Sequence, residues 1–217
     1  MAYDLEEQEQ LAALKATWKQ YGNLVTWALI IGLGGYAGWM QWGNYQGSRS
    51  AQASQLYDEM EKSVAAKDNA KVMRAASDIR EKYASTSYAP MSALVAAKSA
   101  YDAGDLNGAK AQLEWVVASG KNDVYQSLAK IRLAGILLDE KKYDEALKQL
   151  NGEFPEDMRG EVADRQGDIY VAQEKIDDAR KAYQDALAKM TDKSPLRALV
   201  EVKLDAIGGA AAPADKK

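Results

Sequence analysis

The fold is decided by the stretch from Ile131 to Leu150, which reads IRLAGILLDEKKYDEALKQL. Strong helix formers dominate both of its halves, and the polar segment Glu140-Lys141-Lys142 divides them. Each half has an alanine, Ala134 or Ala146, followed three or four positions later by a leucine. The stretch therefore predicts two helices, joined by a short turn, that pack closely at their alanines.

Two further stretches repeat this arrangement. They are Met91–Val116, MSALVAAKSAYDAGDLNGAKAQLEWV, and Arg165–Leu187, RQGDIYVAQEKIDDARKAYQDAL. The alanine of the second helix falls at Ala109, Ala146 and Ala179. This spacing resembles the tetratricopeptide repeat, which has a period of about 34 residues and small residues where its helices A and B cross. An unrelated bundle of helical hairpins is the alternative.

The rest of the body extends the same pattern. A more degenerate helix pair is predicted over residues 54–83, and a capping helix with a polar outer face over 194–207. The last residues, 208–217, are low in complexity and are predicted to be disordered. The predicted fold class is all-α: an N-terminal transmembrane helix, then a tetratricopeptide-like α-solenoid of three to four helical hairpins over residues 49–207.

The transmembrane helix is predicted from a second stretch, Leu24–Trp42, which reads LVTWALIIGLGGYAGWMQW. It carries no charged side chain, and tryptophan and tyrosine residues bracket it, as they do at the level of lipid headgroups. A helix of this length reaches roughly 28 Å, close to the ~30 Å hydrocarbon core of a bilayer. We predict that residues 23–43 span a membrane and that residues 1–22 form a short segment before it. A buried core helix is the alternative.

The charges beside this stretch predict an orientation. Lys15 and Lys19 precede it, whereas Arg49 is the nearest basic residue after it. By the positive-inside rule, the N-terminus lies in the cytoplasm and the main domain on the other side of the membrane. A cleaved signal peptide is the alternative, because Ala51-Gln52-Ala53 resembles a cleavage site. The acidic residues before the apolar run and the distance of that site favour an uncleaved anchor.

Small residues inside the predicted span have the small-xxx-small spacing that lets two membrane helices approach closely. These residues are Ala28, Gly32, Gly34 and Gly38. A partner helix is therefore a hypothesis for this segment, although glycine is also simply common in membrane helices.

Composition excludes several classes of function. The chain has 28 basic and 32 acidic side chains and no basic stripe, which argues against a nucleic-acid partner. It has no cysteine or histidine, which excludes disulfides, thiolate or imidazole metal sites, and Cys or Ser-His-Asp catalysis. Phosphate-binding and hydrolase motifs are also absent. We predict a protein that is not an enzyme and has no cofactor and no small-molecule substrate; a carboxylate-dependent hydrolase is the disfavoured alternative.

A repeat array of this kind exposes a concave surface made mainly by its A helices. In the register above, eight residues should line this surface and could hold an extended or helical peptide. They are Ile131, Arg132, Gly135, Leu138, Asp164, Arg165, Asp168 and Val171. Apolar contacts would hold the peptide, with Arg132 or Arg165 adding charge. An ordinary solvated helix face is the alternative.

Several short segments, in this order along the chain, carry a family resemblance. They are Tyr21-Gly22, Gly38-Trp39, Trp42, Ser48-Arg49-Ser50-Ala51, Ile131-Arg132-Leu133-Ala134, Ala146-Leu147-Lys148, Val162-Ala163-Asp164-Arg165-Gln166-Gly167 and Ala179-Arg180. Together they resemble the YfgM-type ancillary subunit of the bacterial SecYEG translocon, over nearly the full length. This family is often grouped with the tetratricopeptide domain of the cell-division coordinator CpoB.

The resemblance implies a single-pass protein of the bacterial inner membrane, with a cytoplasmic N-terminus and periplasmic repeats. It implies two protein partners, the SecYEG translocon and a membrane-anchored periplasmic folding factor of the PpiD type, besides the lipid bilayer. The expected function is to hold exported clients or partner proteins near the channel and assist their handover to periplasmic chaperones. The alternative is a regulatory scaffold in envelope stress signalling or in cell division.

Overall fold

The structure is a computed structural model that describes residues 2–119 and 122–209. The described residues form α-helices and one short 3-10 helix, with no strand among them. The helices are α1 (Ala2–Ala65), α2 (Asn69–Lys82), α3 (Tyr88–Asp102), α4 (Leu106–Ser119), α5 (Asp123–Asp139), α6 (Tyr143–Gln149), the 3-10 helix (Glu156–Met158), α7 (Arg159–Ala172), α8 (Ile176–Lys189) and α9 (Arg197–Ala206). The all-α prediction is confirmed. Most of the predicted disordered tail lies outside the described residues.

The chain divides into two compact units, with the boundary between Gln52 and Ala53. The described part of the first unit is helical and belongs to α1. Its large apolar side chains are exposed, with relative accessibilities of 69% at Leu24, 69% at Ile31 and 73% at Trp39.

In the described part of the chain, none of the helices combines the length and the apolar character that crossing a membrane requires. The predicted transmembrane helix over residues 23–43 is therefore not confirmed. Glycine, threonine, tryptophan and tyrosine residues interrupt the leucines and isoleucines of this stretch and lower its mean hydropathy.

The second unit consists of helix pairs joined by short turns. From Ala53, the last part of α1 pairs with α2, and the pairs α3–α4, α5–α6 and α7–α8 follow. The described residues thus contain four helical hairpins, as predicted, and the degenerate pair over residues 54–83 is the first of them. In that pair Met60 of α1 packs with Val72 and Ala76 of α2.

The turn inside each hairpin has the same backbone geometry. Its central residue has a positive φ, which is 55° at Lys67, 80° at Gly104, 60° at Lys141 and 60° at Glu174. At Gly104 the amide donates to the carbonyl of Tyr101, and the next amide donates to that of Ala100; the other three turns repeat this pair of bonds. These are Schellman motifs, which satisfy the last carbonyls of each first helix and send the chain back along it.

An equivalent position on the second helix of each hairpin is fully buried. This position is the fifth residue after the central turn residue, and its side chain is fully buried in every hairpin. These side chains are Val72, Ala109, Ala146 and Ala179, and each is 0% exposed. The predicted alanine register is confirmed, and the degenerate first hairpin has a valine at the same position.

Large apolar residues fill the space around these positions. Leu113, Ile131 and Leu137 belong to one cluster that joins α3 to α7. Ile169 is 0% exposed and Leu150 is 2% exposed in the same cluster. Burying one such side chain stabilises the fold by about 1.5–3 kcal/mol.

The capping helix α9 is shorter than the predicted 194–207 and differs from the prediction on its outer face. Val200 and Leu204 are buried against α7 and α8, as a cap requires. Leu199 and Val202, however, are 51% and 64% exposed. Glu201 and Asp205 are exposed as well, so the outer face is mixed and the prediction of a polar outer face is wrong.

Candidate functional site

The first helices of the hairpins line a groove on one side of the second unit. We call its larger part, about 1020 Å³, the apolar section. Most of its lining is apolar: Tyr57, Val64 and Ala65 of α1, Met91, Leu94 and Val95 of α3, the neighbouring Ala103, and Leu128 of α5. The polar residues of the lining are Glu61, Lys67, Asn69, Lys98, Ser99, Asp102 and Arg132.

We call the smaller part of the groove, about 390 Å³, the arginine section. It is lined by Ala97, Lys98, Tyr101, Asp102, Leu113, Arg132, Gly135, Ile136, Asp139 and Arg165. The two sections share Lys98, Asp102 and Arg132, so they adjoin along α3 and α5. A bound polypeptide could therefore contact both sections at once.

Three of the eight residues predicted for the concave surface line the arginine section. They are Arg132, Gly135 and Arg165. Ile131 is 1% exposed and belongs to the core, so its predicted place on the surface is wrong. Leu138 and Val171 are partly buried and pack against hydrophobic clusters instead.

The remaining two predicted residues, Asp164 and Asp168, belong to a network that holds α9 against α7. Lys203 Nζ of α9 lies 2.7 Å from Oδ1 of Asp164 and 2.7 Å from Oδ1 of Asp168. The Tyr183 hydroxyl of α8 donates to Asp168 at 2.9 Å. Asp164 is only 6% exposed, so its predicted place on the concave surface is wrong. Burial raises the pKa of the Asp164 carboxyl, and the hydrogen bond from Lys203 opposes that rise.

Sequence reasoning missed the contribution of α3 to the groove. The Tyr101 hydroxyl donates to Asp139 Oδ2 of α5 at 2.8 Å, and its side chain is 45% exposed. That hydrogen bond raises the pKa of Tyr101. The available signal was the repeat register itself, because Tyr101 is four residues beyond Ala97 on the same face of α3. The eight predicted residues all lie in α5 and α7.

The two arginines of the arginine section have incompletely satisfied donors. Arg132 donates to the Leu94 carbonyl at a long 3.3 Å, and burial lowers the pKa of its guanidinium. Arg165 pairs with Asp168 at 3.2 Å, but its buried Nε has no hydrogen-bond partner. Gly135 has no side chain, and a Cβ there would lie 3.7 Å from Cζ of Arg165. The arginine section therefore has guanidinium donors next to a helix position that carries no side chain.

This arrangement suits recognition by shape, apolar contact and charge. In the part of the chain that the structure describes, no group of three or more acidic side chains is placed to hold a metal ion. Two carboxylates of the groove are engaged by neighbours, since Asp102 pairs with Lys98 and Asp139 accepts from Tyr101. The geometry supports binding of a polypeptide.

Comparison with known proteins identifies similar sequences over most of the chain. The family model of the tetratricopeptide repeat-like domain matches residues 15–209. An ancillary SecYEG translocon subunit from Neisseria gonorrhoeae is 34% identical, over 95% of this chain and 100% of that protein. Proteins of the same name from Haemophilus influenzae and Escherichia coli are 31% and 25% identical, over 86% and 92% of this chain and 91% and 95% of their own lengths. No solved structure matches the chain significantly.

Proposed function

Because this chain belongs to the tetratricopeptide repeat-like family that includes the ancillary SecYEG translocon subunits, we propose that it associates with the SecYEG translocon and holds polypeptides in its groove. The observation that carries this proposal is the continuous groove along the first helices of the hairpins. Its mixture of apolar side chains and guanidinium groups fits an unfolded or amphipathic segment of an exported protein.

We propose that the site of action is the periplasmic face of the bacterial inner membrane. The exposed apolar side chains of residues 23–43 favour contact with lipid, and the basic residues before them favour a cytoplasmic N-terminus in a single-pass topology. Attachment to the membrane would raise the local concentration of the groove near the channel, so that weak contacts suffice. Handover to a chaperone, including a PpiD-type folding factor, is the further step that we propose on the family resemblance. The helix-packing role of Ala28, Gly32, Gly34 and Gly38 stays a prediction.

Site-specific photo-cross-linking in growing cells tests the groove. A photoreactive residue at Tyr101, in the arginine section, should give cross-links to SecYEG subunits, exported polypeptides or a periplasmic folding factor. The matched control is Lys181 of α8, whose side chain is 78% exposed but does not line the groove. Equal cross-linking from both positions would contradict a role for the groove. Cross-links confined to division or signalling proteins would instead support the regulatory scaffold.

Protease accessibility tests the proposed location. In spheroplasts, added protease should digest the second unit, whereas in inverted inner-membrane vesicles it should leave that unit intact. The chain should also stay in the membrane pellet after alkaline carbonate washing, because removing exposed apolar side chains from water at about 25 cal/mol per Å² favours retention. Release into the wash, or digestion only in inverted vesicles, would refute this topology.

A further inference from the structure

We propose that the arginine section receives a side-chain carboxylate of the bound polypeptide, while apolar residues of the same segment occupy the apolar section. This inference rests on the proposed function, because it takes a polypeptide as the occupant of the groove. It adds the chemical class of the segment, which is apolar with an acidic residue, and it assigns the main role in that selection to Arg132.

The charge balance around Arg132 is the first observation. Among the described residues Arg132 forms no ion pair, and its one hydrogen bond goes to the Leu94 carbonyl at 3.3 Å. Asp102 lies 2.7 Å from Lys98, and Asp139 accepts from Tyr101 at 2.8 Å. Glu161 of α7 acts on the charge of Arg132 but forms no ion pair with it. The guanidinium thus has free donors at the surface of the groove, and a bond from it to a carboxylate would be charge-assisted.

The second observation is the geometry of the small section. Arg165 of α7 also lines it, and its Nη1 donates to Asp168 at 3.2 Å. Gly135 has no side chain beside that guanidinium, since a Cβ there would lie 3.7 Å from Cζ of Arg165. A volume of about 390 Å³ fits one or two side chains but not a folded segment. A single carboxylate from an aspartate or glutamate could accept hydrogen bonds from Arg132 there, beside the second positive charge of Arg165.

The third observation is the position of Arg132 at the junction of the two sections. On one side of it lie the partly or fully buried apolar residues Leu94 and Leu128, with Tyr57 beyond them. A segment anchored by its carboxylate would place its neighbouring side chains against this apolar lining. Charge would fix the register of the segment, and apolar burial would supply most of its affinity.

The test uses the purified full-length chain in detergent and two short fluorescein-labelled peptides rich in leucine and alanine. The peptides differ only at one central position, which is Glu in one and Gln in the other. By fluorescence anisotropy, the Glu peptide should bind about tenfold more tightly than the Gln peptide. Raising the salt concentration should reduce this preference, because the carboxylate contact is electrostatic.

Arg132→Gln should reduce the preference to less than about twofold. An unchanged circular dichroism spectrum shows that the variant is folded. Arg132→Lys should give an intermediate preference, because it keeps the charge but loses the paired donors. The matched control is Lys181→Gln, a basic residue of α8 outside the groove, which should keep the full preference.

Three results would overturn this inference: no binding of either peptide, equal binding of both, or a preference that Arg132→Gln leaves intact. Co-purification with SecYEG distinguishes its failure from that of the proposed function. If the translocon co-purifies but the peptide preference is absent, only the carboxylate site is wrong. If the preference is present but the translocon is never recovered, the proposed association is wrong instead.

Discussion

Lys203→Met is expected to lower the free energy of unfolding by about 3 kcal/mol at pH 7. The side chain of Lys203 is 24% exposed and that of Asp164 is 9% exposed, so water screens their 2.7 Å ion pair only weakly. Methionine preserves most of the volume but leaves the Asp164 carboxylate buried without its cation. Removing one partner of a buried pair costs more than the pair contributes, because the other charge stays desolvated.

The loss caused by Lys203→Met should depend on pH. Burial raises the pKa of Asp164 in the folded protein above its value in the unfolded chain. The folded state therefore binds this proton more tightly than the unfolded chain does. The stability that this tighter binding adds is present at low pH and is lost as the pH rises through the pKa of the folded state. Without Lys203 the pKa rises further, so the deficit of the variant should shrink between pH 7 and about pH 4.

Urea denaturation of the full-length chain in detergent, followed by circular dichroism, measures both effects. Lys181→Met is the matched control, since Lys181 is 78% exposed and its ion pair with Asp178 is 3.9 Å long; a change within about 0.5 kcal/mol is expected. Adding Asp164→Asn to Lys203→Met should restore part of the stability, because it removes the unpaired charge. A deficit that is the same at both pH values would refute the buried-carboxylate explanation.

Gly167→Ala is expected to destabilise the protein by about 2 kcal/mol, although alanine is normally the better helix residue. A Cβ at this position would lie 2.4 Å from Cε1 and 2.5 Å from Cδ1 of Tyr183. The Tyr183 ring is 2% exposed, and its hydroxyl is bonded to Asp168. The ring therefore cannot move aside without losing packing and that hydrogen bond, and this cost exceeds the helix-propensity gain of about 1 kcal/mol.

Gly135→Ala is the matched control for this prediction. Gly135 also lies inside a helix, but the nearest atom to a Cβ there is Cζ of Arg165 at 3.7 Å, an ordinary contact distance. Alanine should therefore stabilise the protein by about 0.5–1 kcal/mol through helix propensity. Thermal unfolding of both variants checks the opposite signs. If both substitutions raise Tm, the close approach of α7 to the Tyr183 ring is wrong.

The functional surface was only partly predictable from sequence. The 3.6-residue periodicity identifies the inner face of α5, but that face divides between the core and the groove. Ile131 turned out to lie in the core, whereas Arg132, its neighbour, lies at the junction of the two sections. One position on a helix turns a side chain by about 100°, and how far neighbouring helices cover it decides its exposure. Periodicity alone cannot supply that information.

The sequence by itself determined the local elements of this protein. Helix formers, the turn segments and the spacing of Ala109, Ala146 and Ala179 specify the hairpins, because these signals act between residues close in the chain. Only the tertiary structure decided that Asp164 serves the cap and that Tyr101 meets Asp139 in the groove. Lys203 is 39 residues from Asp164, and Tyr101 is 38 residues from Asp139. Contacts at such separations depend on how whole helices pack, which no local pattern encodes.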